Sequence, residues 1–309
     1  MQILDKIMKK INIIIAIFSI SVILISFYFV YSLSVSYAQK ETIQSLDTTL
    51  QLTKNLLEEE EQRALSLSLL LSQDKAFLQT FYKHDRRASF KIIKHKIESI
   101  KTFQGYAFDV QVHDKNLHTY LRSWDFNITD VPLASFRKGL VEVKKQKRPL
   151  VSIEVGKRLN IKAISPIIKD GAFQGSIEVI ENFEHLRKKL SKQGYALFIL
   201  LDKKYLRIAT TLQGHPLLDD KFIVVNDMYD KSSLSSLENE DLTHLGSYGY
   251  LIKDKVSYGY FEIQNFENEP LGYIVVALQN SMTMPTHAYH EIGSQNRQNN
   301  NADSEVIIR

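Results

Sequence analysis

Residues 106–124 read YAFDVQVHDKNLHTYLRSW, and the period inside that stretch decides the fold. Tyr106, Phe108, Val110 and Val112 alternate with Ala107, Asp109, Gln111 and His113; after a polar Asp114-Lys115-Asn116, Leu117, Thr119 and Leu121 alternate with His118, Tyr120, Arg122 and Trp124. Successive side chains of a strand point to opposite faces, so period two on both sides of a turn predicts an antiparallel hairpin. Downstream of Pro132 a helix is expected over residues 133–146, with Phe136, Leu140 and Val143 inward. Three more strands follow at 151–155, 161–167 and 173–179, the last two separated by a turn at Asp170-Gly171. Together these make an antiparallel sheet of about five strands with helices segregated from it, an α+β arrangement.

Upstream the period is helical. Ile43, Leu50, Leu57, Ala64, Leu71 and Leu78 recur every seven residues, Leu46, Leu67 and Phe81 add a second heptad position, and no Pro or Gly interrupts residues 34–82. That predicts one amphipathic helix of about 70 Å. It either covers only its own domain or also pairs with a second copy in a homodimer, although Thr53, Glu60 and Asp74 interrupt the second position of such a seam. A shorter helix, with Phe90, Ile93, Ile97 and Ile100 on one face, is expected to end near Gly105.

Before the long helix, residues 11–33 (INIIIAIFSISVILISFYFVYSL) carry no charge over 23 residues. At about 1.5 Å per residue such a helix crosses a hydrocarbon core of about 30 Å. Lys6, Lys9 and Lys10 precede it and the acidic run Glu58 to Glu61 follows, so residues 1–10 are expected in the cytoplasm and the chain from residue 34 outside, in a single-pass protein of the cytoplasmic membrane. The competing reading is a signal peptide cleaved after Ser36-Tyr37-Ala38, against which the length of the apolar run argues.

After residue 182 a basic amphipathic stretch, 183–192, opens a second cycle with strands expected at 195–201, 206–210, 248–252, 256–263 and 271–278, around a polar excursion at 213–245. The division is a transmembrane helix at 11–33, a long helix at 34–82, a first module at 83–182, a second at 183–280 and a polar, Asn/Gln-rich tail at 281–309 expected to be disordered.

Composition narrows the function. In 309 residues, 39 Lys+Arg stand against 35 Asp+Glu, a bias too small to suggest nucleic acid as a partner. There is no cysteine, hence no disulfide, thiolate or cysteine-held metal. Gly-rich nucleotide loops, nucleophile elbows and HExxH are all missing, which points away from an enzyme and implies no cofactor. His287 and His290 have helical spacing but lie in the tail; Asn127-Ile128-Thr129 matches a glycosylation acceptor. The basic residues Arg137, Lys138, Lys144, Lys145, Lys147 and Arg148 could draw an acidic partner or lipid headgroups, or form a solvated helix face.

Sorting the first module by alternation puts Asp109, Tyr120, Arg122, Trp124, Glu154, Lys162 and Glu178 opposite the Val, Ile and Leu positions. One sheet face is apolar and suits the long helix. The other offers an Arg fork for a carboxylate, aromatic walls, and carboxylates that could take an ammonium. The bland alternative is a solvated face of cross-strand pairs, with Trp124 covered by the helix after Pro132.

LRSW at 121–124, SFR at 135–137, IEVG at 153–156, IKAISPII at 161–168 and GSIE at 175–178 resemble, in order and spacing, the double Cache extracytoplasmic sensory domain of bacterial sensor histidine kinases and chemoreceptors. The resemblance extends from about residue 34 to 280, with the second module supported by plan more than by motif. It implies a dimer-forming long helix, a membrane-distal and a membrane-proximal PAS-like module, and a small ligand in the distal one, held by Arg122 and Trp124 with Glu154, Lys162 and Glu178 as neighbours. Two departures stand out. Lys162 occupies a position where the pattern often has Arg, which replaces a bidentate fork by a point charge. The sequence also shows no second span and no kinase, cyclase or methyl-accepting region, so the resemblance implies either a truncated receptor or a separate transmitter protein as partner. The function expected is a membrane-anchored periplasmic sensor of a carboxylate or amino acid for two-component or chemotactic signalling. The alternative is an anchored structural or accessory subunit that binds a partner protein.

Overall fold

The computed structural model describes residues 2–104, 107–253 and 255–279. Gly105, Tyr106 and the tail expected to be disordered lie outside those residues. The first helix, α1 (Gln2–Ser72), runs unbroken through the apolar stretch and on to the sheets. Its span from Ile11 contains a window of mean hydropathy 2.8 with none of it buried, long and apolar enough to cross a membrane. Ser21 in that stretch donates to the Ile17 carbonyl at 2.9 Å, so its hydroxyl needs no water.

From Leu46 onward α1 is part of the core. Leu46, Leu50, Ala64, Leu67 and Leu71 are all buried by the chain's own sheets. Leu50 lies so close to the sheet that a Cβ at Gly259 would stand 2.8 Å from its Cδ1; glycine permits the approach. The outward face, Gln44, Thr48, Gln51, Asn55, Glu58, Glu59 and Gln62, is polar and exposed. Leu46, Leu50, Ala64, Leu67 and Leu71 of the heptad seam are therefore covered from within the chain, while Ile43 at its start is 38% exposed.

The long helix expected to reach residue 82 stops at Ser72. Asp74 starts a separate helix, α2 (Lys75–Tyr82): its carboxylate accepts the Phe77 N–H at 2.9 Å and pairs with Lys96 at 2.7 Å. An Asp at an N-cap competes with helix continuation, and the break turns Phe77 and Phe81 into the core. α3 (Arg86–Gln104) follows and buries Ile93 and Ile97.

The first sheet contains β1 (Asp109–Asp114), β2 (Thr119–Arg122), then, after helix α4 (Lys138–Gln146), β3 (Leu150–Val155), β4 (Leu159–Lys169) and β5 (Ala172–Glu181), in the order β2-β1-β5-β4-β3, all antiparallel. Asp170 and Gly171 both have positive φ, 50° and 74°, the conformation a tight hairpin turn demands, and they connect β4 to β5. Val110, Val112, Ile153, Ile161, Ala163, Ile177 and Val179 face α1, α2 and α3 in one continuous apolar core.

The second sheet, with α5 (Glu184–Ser191) before it, consists of β6 (Ala196–Asp202), β7 (Leu217–Leu218), β8 (Phe222–Val224), β9 (Tyr248–Leu251), β10 (Val256–Gln264) and β11 (Pro270–Gln279) in the order β7-β8-β6-β11-β10-β9. The strand expected at 206–210 is instead a pair of 3₁₀ turns, because the Asp202 carboxylate accepts the Lys204 N–H at 2.8 Å and curls the chain as it leaves β6. The polar excursion holds β7, β8 and α6 (Lys231–Leu237), which covers the face of this sheet turned away from α1. Asp47 of α1 accepts hydrogen bonds from Tyr248 and, at 2.8 Å, from Tyr250, and so ties α1 to β9.

Candidate functional site

The face of the first sheet turned away from α1 carries Gln111 and His113 on β1, Ser176 and Glu178 on β5, Lys162 on β4, and Ser152 and Glu154 on β3, every one of them buried. Alternation alone assigns these residues to one side. It fails on β2, where the register with β1 shifts between Val112 and His113: Leu121 pairs with Val112, Thr119 with His113, and Tyr120 falls in the bulge. Tyr120 consequently points to the helices, its ring edge-on to Phe81 at 5.0 Å and its hydroxyl 3.4 Å from Ser89 Oγ. Of the residues read as one face, it is the one this structure removes. Arg122, opposite Gln111, stays.

Arg137, read above as part of an exposed basic run, is the centre of the layer. The helix expected from residue 133 begins only at Lys138, because Leu133 donates to the Leu117 carbonyl and residues 133–137 form a turn closed by the Arg137 N–H on the Leu133 carbonyl at 3.0 Å. That turn sends Arg137 inward, to 5% exposure. Its guanidinium donates to both oxygens of Glu178, one of them at 3.3 Å, and to Glu154 at 3.4 Å. An arginine at the positive end of a helix is electrostatically misplaced unless carboxylates hold it, and this is the signal in the sequence that could have found it. α4 then seats directly on Glu154: a Cβ at Gly139 would stand 2.0 Å from Glu154 Oε1. Lys162 Nζ likewise fills the space beside Gly156, 2.8 Å from where a Cβ would be.

Burial shapes the charges of this layer. It pushes the His113 imidazole down to about 3, so the ring is neutral although Nε2 lies 3.6 Å from Glu178. It pushes the Lys162 ammonium down to about 8, with Arg137 adding to the effect. For Glu178 burial favours the neutral acid, but Arg137, Lys162 and His113 together pull harder and hold the carboxyl below its usual range. Burial lowers Arg122 as well, with Asp125 and Glu178 opposing and Arg137 adding. Arg122, Arg137 and Lys162 thus face Glu154 and Glu178, with Asp125 acting on Arg122 at the rim.

The remaining predicted residues lie at the edge. Arg122 is half-buried with its Cζ 5.7 Å from the Trp124 ring, and its Nε is buried with no hydrogen-bond partner among the described residues. Trp124 is 47% exposed and so not covered by α4. Asp109 opens β1 at an exposed position and accepts from Ser123 Oγ at 3.2 Å. Glu154, Lys162 and Glu178 are brought together as a closed floor with Arg137 and His113, while Arg122 and Trp124 form the accessible rim. The arrangement can hold a charged group against a fixed electrostatic floor, with the neutral, fully buried His113 set among hydrogen-bonded partners.

A family model described as the double sensory domain of two-component sensor kinase matches residues 39–283. No curated protein matches the sequence. Among solved structures, the extracellular domain of the histidine kinase vpHK1S-Z8 has the same fold, with a TM-score of 0.50 at 15% identity, covering 79% of this chain and 97% of that one. A domain of a sensory box/GGDEF family protein from Vibrio parahaemolyticus has a TM-score of 0.48 at 14% identity, covering 78% and 97%. The ligand-binding domain of the Campylobacter jejuni chemoreceptor Tlp3, in complex with L-valine, has a TM-score of 0.46 at 15% identity, covering 79% and 95%.

Proposed function

This chain belongs to the double Cache family of sensory domains, and from that premise we propose that it is a membrane-anchored extracytoplasmic sensor whose first, membrane-distal module binds a small carboxylate or amino acid at Arg122 and Trp124. The observation that carries this reading is the state of Arg122: a half-buried guanidinium over a half-exposed indole, with a buried Nε that no group among the described residues satisfies. A ligand carboxylate there would gain a charge-assisted hydrogen bond worth about 1.5–3 kcal/mol. Glu178 or Glu154 would favour a ligand that also bears an ammonium. The bound state would reach α1 through the sheet, since β4 and β5 pack on that helix and Ser165 Oγ lies 2.7 Å from Ser68 Oγ across the contact. The apolar stretch of α1, preceded by Lys6, Lys9 and Lys10, would anchor the sensor in the cytoplasmic membrane with the modules outside.

The test uses the only tryptophan, Trp124, as the reporter. Amino acids and small carboxylates are titrated into the full chain in lipid nanodiscs, and Trp124 emission and melting temperature are recorded together. A solute that shifts both supports the reading, provided that Arg122→Ala weakens it at least about tenfold while leaving the ligand-free melting temperature nearly unchanged. Undiminished affinity in Arg122→Ala would move the site elsewhere. If no solute shifts either signal, the accessory-subunit reading gains.

A further inference from the structure

Where β5 ends and α5 begins, beside the end of α3, the chain forms an open pocket of about 290 Å³ lined by Lys101, Glu181, His185 and Lys188 among others. Beside it, Glu60 of α1 is 1% exposed and fully engaged: Arg63 and His185 hold it, the latter at 2.7 Å, and Lys189 lies 3.3 Å away. Glu181, 2% exposed, is different. Its Oε2 accepts from Arg63 at 2.7 Å, but its Oε1 is buried with no hydrogen-bond partner among the described residues. An oxygen left so in a dry site costs roughly 1–3 kcal/mol unless a ligand or water meets it.

We propose that this pocket is a second solute site, for a small organic carboxylate, with the Glu181 carboxyl at its floor and the Lys101 and Lys188 ammonium groups at its rim. Glu184, the acid nearest Lys188, is already taken: Arg187 holds both its oxygens at 2.7 Å, leaving Lys188 at 3.8 Å. Burial raises the Glu181 carboxyl to about 7 against the pull of Arg63, with Glu60 adding to the rise, so near neutrality it carries a proton that it can donate to a ligand carboxylate. The charged groups facing it are Glu60 and Arg63 from α1, Glu184, His185, Lys188 and Lys189 from α5, and Lys101 from α3. Because Arg63 bridges Glu181 to Glu60, a ligand on Glu181 changes the partner balance of buried Glu60 and half-buried Arg63 on α1, the helix that continues into the apolar stretch. The proposal stands apart from the Arg122 site.

Lactate, succinate and citrate serve as probes on the full chain in nanodiscs, followed by calorimetry and melting temperature, with Trp124 emission as the control for the distal site. At least one probe should bind without shifting Trp124 emission, and more tightly near pH 6 than near pH 8, across the range where Glu181 loses its proton. Lys101→Ala with Lys188→Ala, both at exposed positions, should weaken it at least about tenfold. Glu181→Gln, a permanent donor, should bind with a flattened pH profile, and Arg122→Ala should bind normally. The idea is overturned if none of the three probes binds, if the double lysine variant binds as well as the wild type, or if Arg122→Ala abolishes the effect.

Discussion

Glu178→Gln is the perturbation that probes the buried layer most directly. Glu178 is 0% exposed and takes both arms of Arg137, itself 5% exposed. Neutralising it leaves Arg137 and Lys162 facing Glu154 alone, so one buried positive charge loses its compensation. Breaking a buried pair by removing one partner typically costs about 3–5 kcal/mol, because the remaining charge keeps its desolvation penalty and loses its compensation. Gln keeps one acceptor for Arg137, which places this variant near the lower end of that range. At about 2–4 °C per kcal/mol for 150–250 residues, the melting temperature should fall by roughly 6–12 °C. The assay is thermal and urea unfolding of the full chain in detergent, followed by circular dichroism and Trp124 emission. Removing both charges, as Glu178→Leu with Arg137→Met, should recover most of the loss, since an apolar replacement of a buried pair is often neutral or better. The pH dependence has a definite sign: the Glu178 carboxyl lies below the ordinary value of 4.5 when folded, so its contribution is complete above that value and fades as the pH falls below it. Wild type and Glu178→Gln should therefore converge in acid. A loss under about 1 kcal/mol, or a double variant no more stable than Glu178→Gln, would show that the layer is not held by this pair.

Leu50→Asp should destabilise the single chain by several kcal/mol, because it drives a charge into the contact with Gly259; the unfolding free energy checks this. Asp74→Ala should cost about 1–2 kcal/mol by removing the α2 cap and the Lys96 pair, and Asp74→Asn, which keeps the cap, should cost less. Glu181→Gln should stabilise the protein above neutral pH. The folded carboxyl titrates at about 7 against 4.5 unfolded, so wild-type stability declines as the pH rises between those values, by up to about 3 kcal/mol, and the variant should lack that decline in denaturation series across the range.

Residue order by itself determined everything that depends on neighbours close along the chain. Twenty-three uncharged, mostly apolar residues make a helix long and apolar enough to cross a membrane, and period two from Phe108 to Val112 makes a strand because backbone geometry alternates the side chains. The same alternation put Glu154, Lys162 and Glu178 on one face before any partner was known, and Asp170-Gly171 specified its own turn. Even the helix break at Asp74 was written locally, as a capping residue three positions before Phe77.

The tertiary structure decided what lies across space. A bulge opposite Val112 moved Tyr120 to the helix side, and a one-residue slip of that kind is set by how β2 pairs with β1, not by the composition of either strand. The heptad of α1 is equally compatible with a second helix and with a sheet, and only the approach of Gly259 and its neighbours shows that the chain's own sheets fill it. Arg137 could have been one more solvated cation on a basic helix; two carboxylates from strands 17 and 41 residues away in sequence make burial the lower free-energy state. The free energy of a buried charge depends on the groups packed against it, and those groups meet only when the sheet is assembled.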